Sequence, residues 1–149
     1  MYEYDSDEIA RLRIALARIS RMIERQVSSG DLTRTQISVL GSVARRGPLG
    51  VSELAGIEGL NPTMLSRVLT KLEAAELVER TVDEADRRAV RVEATASGTA
   101  LYRRLREERS RLLATKLELI PAESAARILA ALPALEEFAA ELSTDAGGS

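Results

Sequence analysis

The chain has 149 residues, 45% of them hydrophobic, a formal net charge of −2, and no Cys, His or Trp. That length suits one domain, or one compact domain with an appended element, and can bury about 70% of the unfolded chain's surface. Without cysteine there is no disulfide framework, thiol nucleophile or thiolate redox sensor; without cysteine and histidine the usual zinc, iron and copper sites and a Ser-His-Asp triad lose their groups.

Carboxylate chemistry with a hard metal stays open in principle, because 23 Asp and Glu are present. The opening MYEYDSDEIA is acidic and lacks an apolar run, so no signal peptide is expected. No stretch approaches 18 consecutive apolar residues. The expectation is a cytoplasmic protein with no membrane partner. All but Lys71 and Lys116 of the 21 basic residues are arginine. In a chain also rich in Ala this reads as codon usage, and arginine abundance by itself decides nothing.

Residues 7–27 read as an amphipathic helix, with Ile9, Leu12, Leu16, Ile19 and Ile23 at three- and four-residue steps. Ser28-Ser29-Gly30 ends it. Thr33-x-x-Gln36 is a capping box that opens a second helix to about residue 45, with Ile37, Leu40 and Val43 as its stripe. Gly47-Pro48 and Gly50 form a turn. Ser52 is the expected N-cap of a short third helix, 53–57, which Glu58-Gly59 breaks. Asn61-Pro62 starts a fourth helix as N-cap and N1, running to about Ala75 with Leu65, Val68, Leu69 and Leu72 apolar.

The period changes between Leu77 and Glu93, where Val78/Val82 and Val90/Val92 mark two short strands. A charged tip of about four to six residues joins them as a β-hairpin. A long helix over about 97–119 follows, with Leu101, Leu105, Leu112 and Leu119 on one face. Pro121 is expected at N1 of a last helix, 121–142, which Pro133 should kink or split. Residues 144–149 read as a disordered tail. The fold class is mainly α with a small hairpin wing. Residues 31–98 are expected to form a winged helix-turn-helix domain, with helical regions over 1–30 and 99–143 on either side of it.

A helix-turn-helix places its second helix in a DNA major groove. With Leu65, Leu69 and Leu72 inward, Thr63, Ser66, Arg67, Thr70 and Lys71 turn outward. Thr and Ser bond phosphates or base edges, and Arg67 can fork onto guanine O6 and N7. A plain solvated helix face explains the same pattern about as well. The tip Asp86-Arg87-Arg88 adds weight, because a protruding arginine suits the negative potential of a narrowed minor groove. Yet residues 61–92 carry six basic and six acidic side chains. Such a segment binds DNA only if folding separates the signs.

The stretch VSELAGIEGLNPTMLSRVLTKLEAAELVER, followed by TVDEADRRAVRVEATASG, resembles the MarR family of bacterial winged-helix regulators. The Leu-Ala helix, the Ser-Arg recognition helix, the Asp-x-x-Asp-Arg-Arg wing and the Thr-x-x-Gly exit come in the family's order and spacing. The resemblance implies that Pro62, Thr63, Ser66, Arg67 and Thr70 face the major groove. It also implies that Arg87 and Arg88, steadied by Asp86, form the wing contact, and that Thr35, Gln36 and Ser52 hold phosphates near helix N-termini. It further implies a homodimer interlocked through the terminal helices. A small aromatic or phenolic effector would sit between those helices and the reading heads. No cofactor is implied. Glu76 stands where the family often has Gly, Glu58 where an apolar residue is common, and Ala94 where Leu often precedes the Thr.

The leading expectation is a homodimeric repressor on a pseudo-palindromic operator, its half-sites about one helical turn apart. The alternative is a winged-helix module that binds a protein through the same polar helix and does not bind DNA. An enzyme built on Glu107 and Glu108 is disfavoured, because neighbouring helix residues point about 100° apart.

Overall fold

The computed structural model describes residues 3–27, 29–86 and 89–145. Seven helices and a small sheet follow one another: α1 (Ser6–Gln26), α2 (Arg34–Arg46), β1 (Leu49–Gly50), α3 (Val51–Glu58), α4 (Pro62–Ala74), β2 (Val78–Val82), β3 (Val90–Ala94), α5 (Ala96–Leu117), α6 (Ala122–Ala130) and α7 (Leu132–Asp145). Among the described residues no helix is long and apolar enough to cross a membrane.

The helix starts follow their side-chain caps. Asp5 accepts from the Asp7 N–H at 2.9 Å, and Asp7 and Glu8 favour the positive end of α1. The Thr33 hydroxyl accepts from the Gln36 N–H (3.2 Å) while the Gln36 side chain accepts from the Thr33 N–H (3.0 Å), the expected capping box. Asn61 caps α4 by accepting from the Met64 N–H at 2.8 Å, with Pro62 at N1.

One core lies around α2. Val39, Leu40 and Val43 pack with Leu54 of α3, with Leu65, Leu69 and Leu72 of α4, and with Leu49, Val78 and Val92 of the three strands. A smaller cluster of Val27, Ile37 and Leu105 joins the end of α1 to α2 and α5. The strands pair antiparallel in the order β1-β3-β2.

Several expectations need correcting. β1 was not foreseen; two residues beside Gly47-Pro48 carry no readable period, yet Leu49 and Gly50 pair with Val92 and Arg91. Ser52 does not cap α3, whose N-cap is Gly50, so the helix starts a residue before Ser52. Pro121 is the N-cap of α6 rather than N1, its ψ of 137° being extended. The hairpin connection spans 83–89, longer than expected, and an Asp83 N–H to Ala89 O bond (3.0 Å) closes its base. Leu119 lies beyond the end of α5 and is 74% exposed, so it does not continue that helix's buried stripe. The last helix is split, as Pro133 demands, with α6 ending at Ala130 and α7 starting at Leu132. α7 runs on to Asp145, since no Gly or Pro interrupts it there, and the rest of the expected tail, 146–149, lies outside the described residues.

The terminal helices leave much apolar surface bare. No residue of α1 or α6 is buried. Ile9, Leu12, Leu16 and Ile19 of α1, Ile128 and Leu129 of α6, and Leu132, Phe138 and Leu142 of α7 are exposed.

A knot of short contacts joins α4, the hairpin and α5. The chain leaves α4 through Glu76 at φ 58°, a left-handed conformation that strains a non-glycine residue by about 1 kcal/mol. The Thr95 hydroxyl donates to the Glu76 carbonyl (2.6 Å) and accepts from the Gly98 N–H (3.0 Å), while the Thr95 N–H donates to the Leu77 carbonyl (3.0 Å). Gly98 lies so close to the Leu77 backbone that a Cβ there would sit 2.0 Å from the Leu77 oxygen. This contact is the physical content of the Thr-x-x-Gly exit.

Gly98→Ala should therefore lower stability by about 1–3 kcal/mol, the cost of forcing atoms into a filled site. Gly56→Ala in α3, where an added Cβ meets nothing within 4 Å, should be neutral or slightly stabilising. Urea unfolding of both variants checks this; equal midpoints would remove the steric account.

Candidate nucleic-acid interface

Burial of Leu65, Leu69 and Leu72 fixes the rotation of α4. Pro62, Thr63, Ser66, Arg67, Thr70 and Lys71 all lie on its exposed side. Ser66, Arg67, Val68, Thr70 and Lys71 line a shallow depression together with Gln36 of α2. Gln36, whose side-chain oxygen serves the capping box, thus keeps its amide donors beside the α4 face. Thr35 is half-buried at the second position of α2 and does not line that depression. Ser52 is exposed but lines a different hollow, with Gly50, Val51, Glu53, Arg80, Ala89 and Val90.

Asp86 is exposed at the hairpin end, where its carbonyl accepts from the Ala89 N–H at 2.9 Å. Arg87 and Arg88 lie outside the described residues. Asp83 shapes the turn, its carboxylate accepting from the Ala85 N–H at 2.9 Å.

Sequence reasoning passed over the side chains that hold this surface in place. Arg80 of β2 ion-pairs with Glu73 of α4 and donates to the Ser66 carbonyl at 3.4 Å. Arg91 of β3 donates to the Pro48 carbonyl at 2.8 Å. The outward position of Arg80 on a two-residue alternation was its only signal. The Thr70 hydroxyl also donates to the Ser66 carbonyl, at 2.8 Å, leaving its oxygen as an acceptor.

Of the acids near this face, Glu73 is taken up by Arg80, and Glu58, just before the segment, by two serines of α2. Arg67 and Lys71 are in no ion pair among the described residues. The exposed face of α4 therefore offers hydroxyls and two cations, held by a helix whose other face is core.

A helix-turn-helix completed by a hairpin and a third short strand, and flanked by long helices, defines a winged-helix protein of the nucleic-acid-binding type. The family model described as the MarR family matches residues 32–90. Over those residues the chain matches the MarR family. It is 33% identical over 90 residues to the HTH-type transcriptional repressor NicR of Pseudomonas putida, covering 60% of this chain and 57% of that one. The crystal structure of RV1404 from Mycobacterium tuberculosis superimposes with a TM-score of 0.75 at 25% identity, over 100% of this chain and 99% of that one. NadR in complex with 4-hydroxyphenylacetate matches with a TM-score of 0.66 at 26% identity, over 96% of both chains.

Glu58, expected as an anomaly, has a structural reason. Its carboxylate accepts from Ser38 at 2.8 Å and from Ser42, whose side chain is buried in α2 at 2% exposure. This pins the end of α3 against α2, and so sets the turn that presents α4. Glu58→Ala should destabilise by about 1–3 kcal/mol, because it leaves the Ser42 hydroxyl buried without its acceptor. The double change Glu58→Leu/Ser42→Ala removes both polar groups and should recover most of that loss in urea unfolding. A double variant as weak as the single one would rule out the hydrogen bond as the cause.

Proposed function

We propose that this protein is a homodimeric, cytoplasmic, sequence-specific DNA-binding repressor whose hold on a pseudo-palindromic operator is relieved by a small aromatic acid or phenol. The observation that carries the reading is the exposed face of α4, with Arg67 and Lys71 unpaired by any described carboxylate above a fully buried leucine row. Pro62, Thr63, Ser66, Arg67 and Thr70 read the major groove. Lys71, Thr35, Gln36 and Ser52 hold phosphates, and the Asp86-Arg87-Arg88 wing reaches the minor groove. Residues 31–98 are the reading head.

The dimer follows from the bare faces of α1, α6 and α7. So many exposed large apolar side chains on these helices favour an association surface. A second copy covers like with like about a two-fold axis, the commonest symmetry of soluble oligomers. Residues 1–30 and 99–143 are the dimerisation region in this reading.

The effector pocket is a hollow of about 410 Å³ between α1, α2 and α5, within the size range of small-molecule sites. Gly41 forms one wall against the Tyr102 ring, where a Cβ would meet the ring at 2.9 Å. Arg45 donates to the Tyr102 hydroxyl at 3.1 Å and lies 5.8 Å from the ring centre. Arg34 is paired with Glu24 at 2.6 Å; that hydrogen bond first, and its charge second, hold the guanidinium above its ordinary pKa. The Arg109 Nε is buried and donates to no acceptor among the described residues. An aromatic ring beside Tyr102 with an acidic group toward Arg109 satisfies that donor. The 4-hydroxyphenylacetate held by NadR has this chemistry.

Selection from genomic or random duplex DNA at about 150 mM salt should recover an inverted repeat, bound by a dimer in solution. Arg67→Ala should weaken the selected site by about 10-fold or more, the scale of a lost bidentate base contact. Lys71→Ala and Arg88→Ala should each flatten the salt dependence by roughly one unit of slope. A dimer that enriches no sequence would instead support the protein-binding alternative.

Added 4-hydroxyphenylacetate should release the operator in a band-shift titration. Arg109→Gln should raise the concentration needed without altering effector-free DNA affinity. Identical titrations for the two proteins would remove Arg109 from the effector site.

A further inference from the structure

We infer that Met64 is a specificity-determining residue, reading the 5-methyl group of a thymine in each half-site; the inference rests on the DNA-reading role of α4 proposed above. Met64 stands three residues after the Asn61 cap, and its own N–H donates to the Asn61 carboxamide, so the first turn of α4 is fixed. Its side chain is nevertheless 48% exposed, whereas its neighbour Leu65 is fully buried. It is the one large hydrophobic side chain of α4 left exposed.

Its surroundings say what covers it. Met64, Arg67 and Lys71 follow at three- and four-residue steps, so they form one stripe along α4: thioether, guanidinium, ammonium. A protein partner apolar enough to cover Met64 would have to desolvate the two cations beside it. A DNA groove accommodates both, with phosphates and guanine for the cations and a methyl for the thioether. The major-groove edges of the four bases are polar except for the thymine methyl, so an exposed apolar side chain near the start of a recognition helix has one matching feature. Methionine's flexible, polarisable chain suits it to that contact. The surface is also separate from the bare terminal helices, so a second copy of the chain is not needed to explain it.

The stripe also fixes the register. Three residues along a helix advance about 4.5 Å, against about 3.4 Å per base pair. The thymine therefore lies within about two base pairs of the guanine that Arg67 contacts.

Replacing thymines of the selected operator one at a time with deoxyuridine removes only the methyl group. For the native protein, one position per half-site should lose about fourfold in affinity, as burying one carbon group is worth about 0.8 kcal/mol and 1.4 kcal/mol is tenfold. Met64→Ala should bind the unmodified operator about fourfold more weakly and be indifferent to deoxyuridine at that position. Met64→Leu, which keeps an apolar chain, should retain most of the response. An operator whose thymine responses are the same in the native and Met64→Ala proteins overturns the assignment alone. Failure to recover any operator overturns it together with the repressor reading.

Discussion

The position of α5 against the exit of α4 and the hairpin rests on one close approach, the packing of Gly98 onto the Leu77 carbonyl. Leu77 follows the exit of α4 and precedes β2, while Gly98 opens α5, so a single contact joins α4, the hairpin and the helix leading to the chain's C-terminal half. Thr95 completes it by serving three backbone groups at once. Because its hydroxyl takes the Glu76 carbonyl, the left-handed turn at Glu76 is held by an interaction that offsets its strain. A larger residue at Gly98 would have to push α5 away from the sheet, which makes this junction geometric rather than merely stabilising.

The second constraint is electrostatic. A segment with equal numbers of acidic and basic residues has no net attraction for a polyanion, so its usefulness depends on where the carboxylates go. Glu73 turns toward the sheet and Arg80, and Glu58 turns toward Ser38 and Ser42. Both acids thereby do structural work between elements, and neither pairs with Arg67 or Lys71. The same pairs hold the surface still. Arg80 reaches the Ser66 carbonyl and Arg91 the Pro48 carbonyl, so β2 and β3 are each braced against the helix-turn-helix. A reading surface braced in this way loses little conformational freedom on binding.

Much of this was legible in the residues because the signals were local. Capping at Thr33 and Asn61, the leucine period of α4 and the break demanded by Pro133 each depend on groups within a few residues of one another. The outward set Thr63, Ser66, Arg67, Thr70 and Lys71 followed from the same period. What escaped depends on contacts distant in sequence. β1 exists because Leu49 finds Val92 across the sheet. Ser52 was misplaced because Gly50, already extended by its strand pairing, ends the strand and starts the helix. Arg80, Glu58 and Tyr102 carry no motif; their partners are 7 to 61 residues away and set by tertiary packing alone.

The same distinction bears on how an effector could be felt at the DNA. The hollow under Tyr102 is lined by α1, α2 and α5, so a ligand there would touch α1, α5 and the central helix α2 together. α2 in turn packs against α3 and α4 through Leu40 and Val43, and it receives Glu58 on Ser38 and Ser42. Any rigid shift of α2 is thus carried to α4 with little slack, because well-packed interiors transmit displacement rather than absorb it. Under the proposed function, a ligand would shift the spacing of the heads only by the difference in its affinity for the two arrangements. On the proposed reading, that difference would arise at one pair of side chains. The Arg34–Glu24 pair bridges α2 and α1 at the pocket wall, and an anion near Arg109 enters the field of both groups. It is attracted to Arg34 and repelled by Glu24, so it favours the arrangement in which the two separate. On the proposed reading, an anionic ligand would be coupled to α2 through charge, whereas a neutral ring of the same shape would have packing alone to act through.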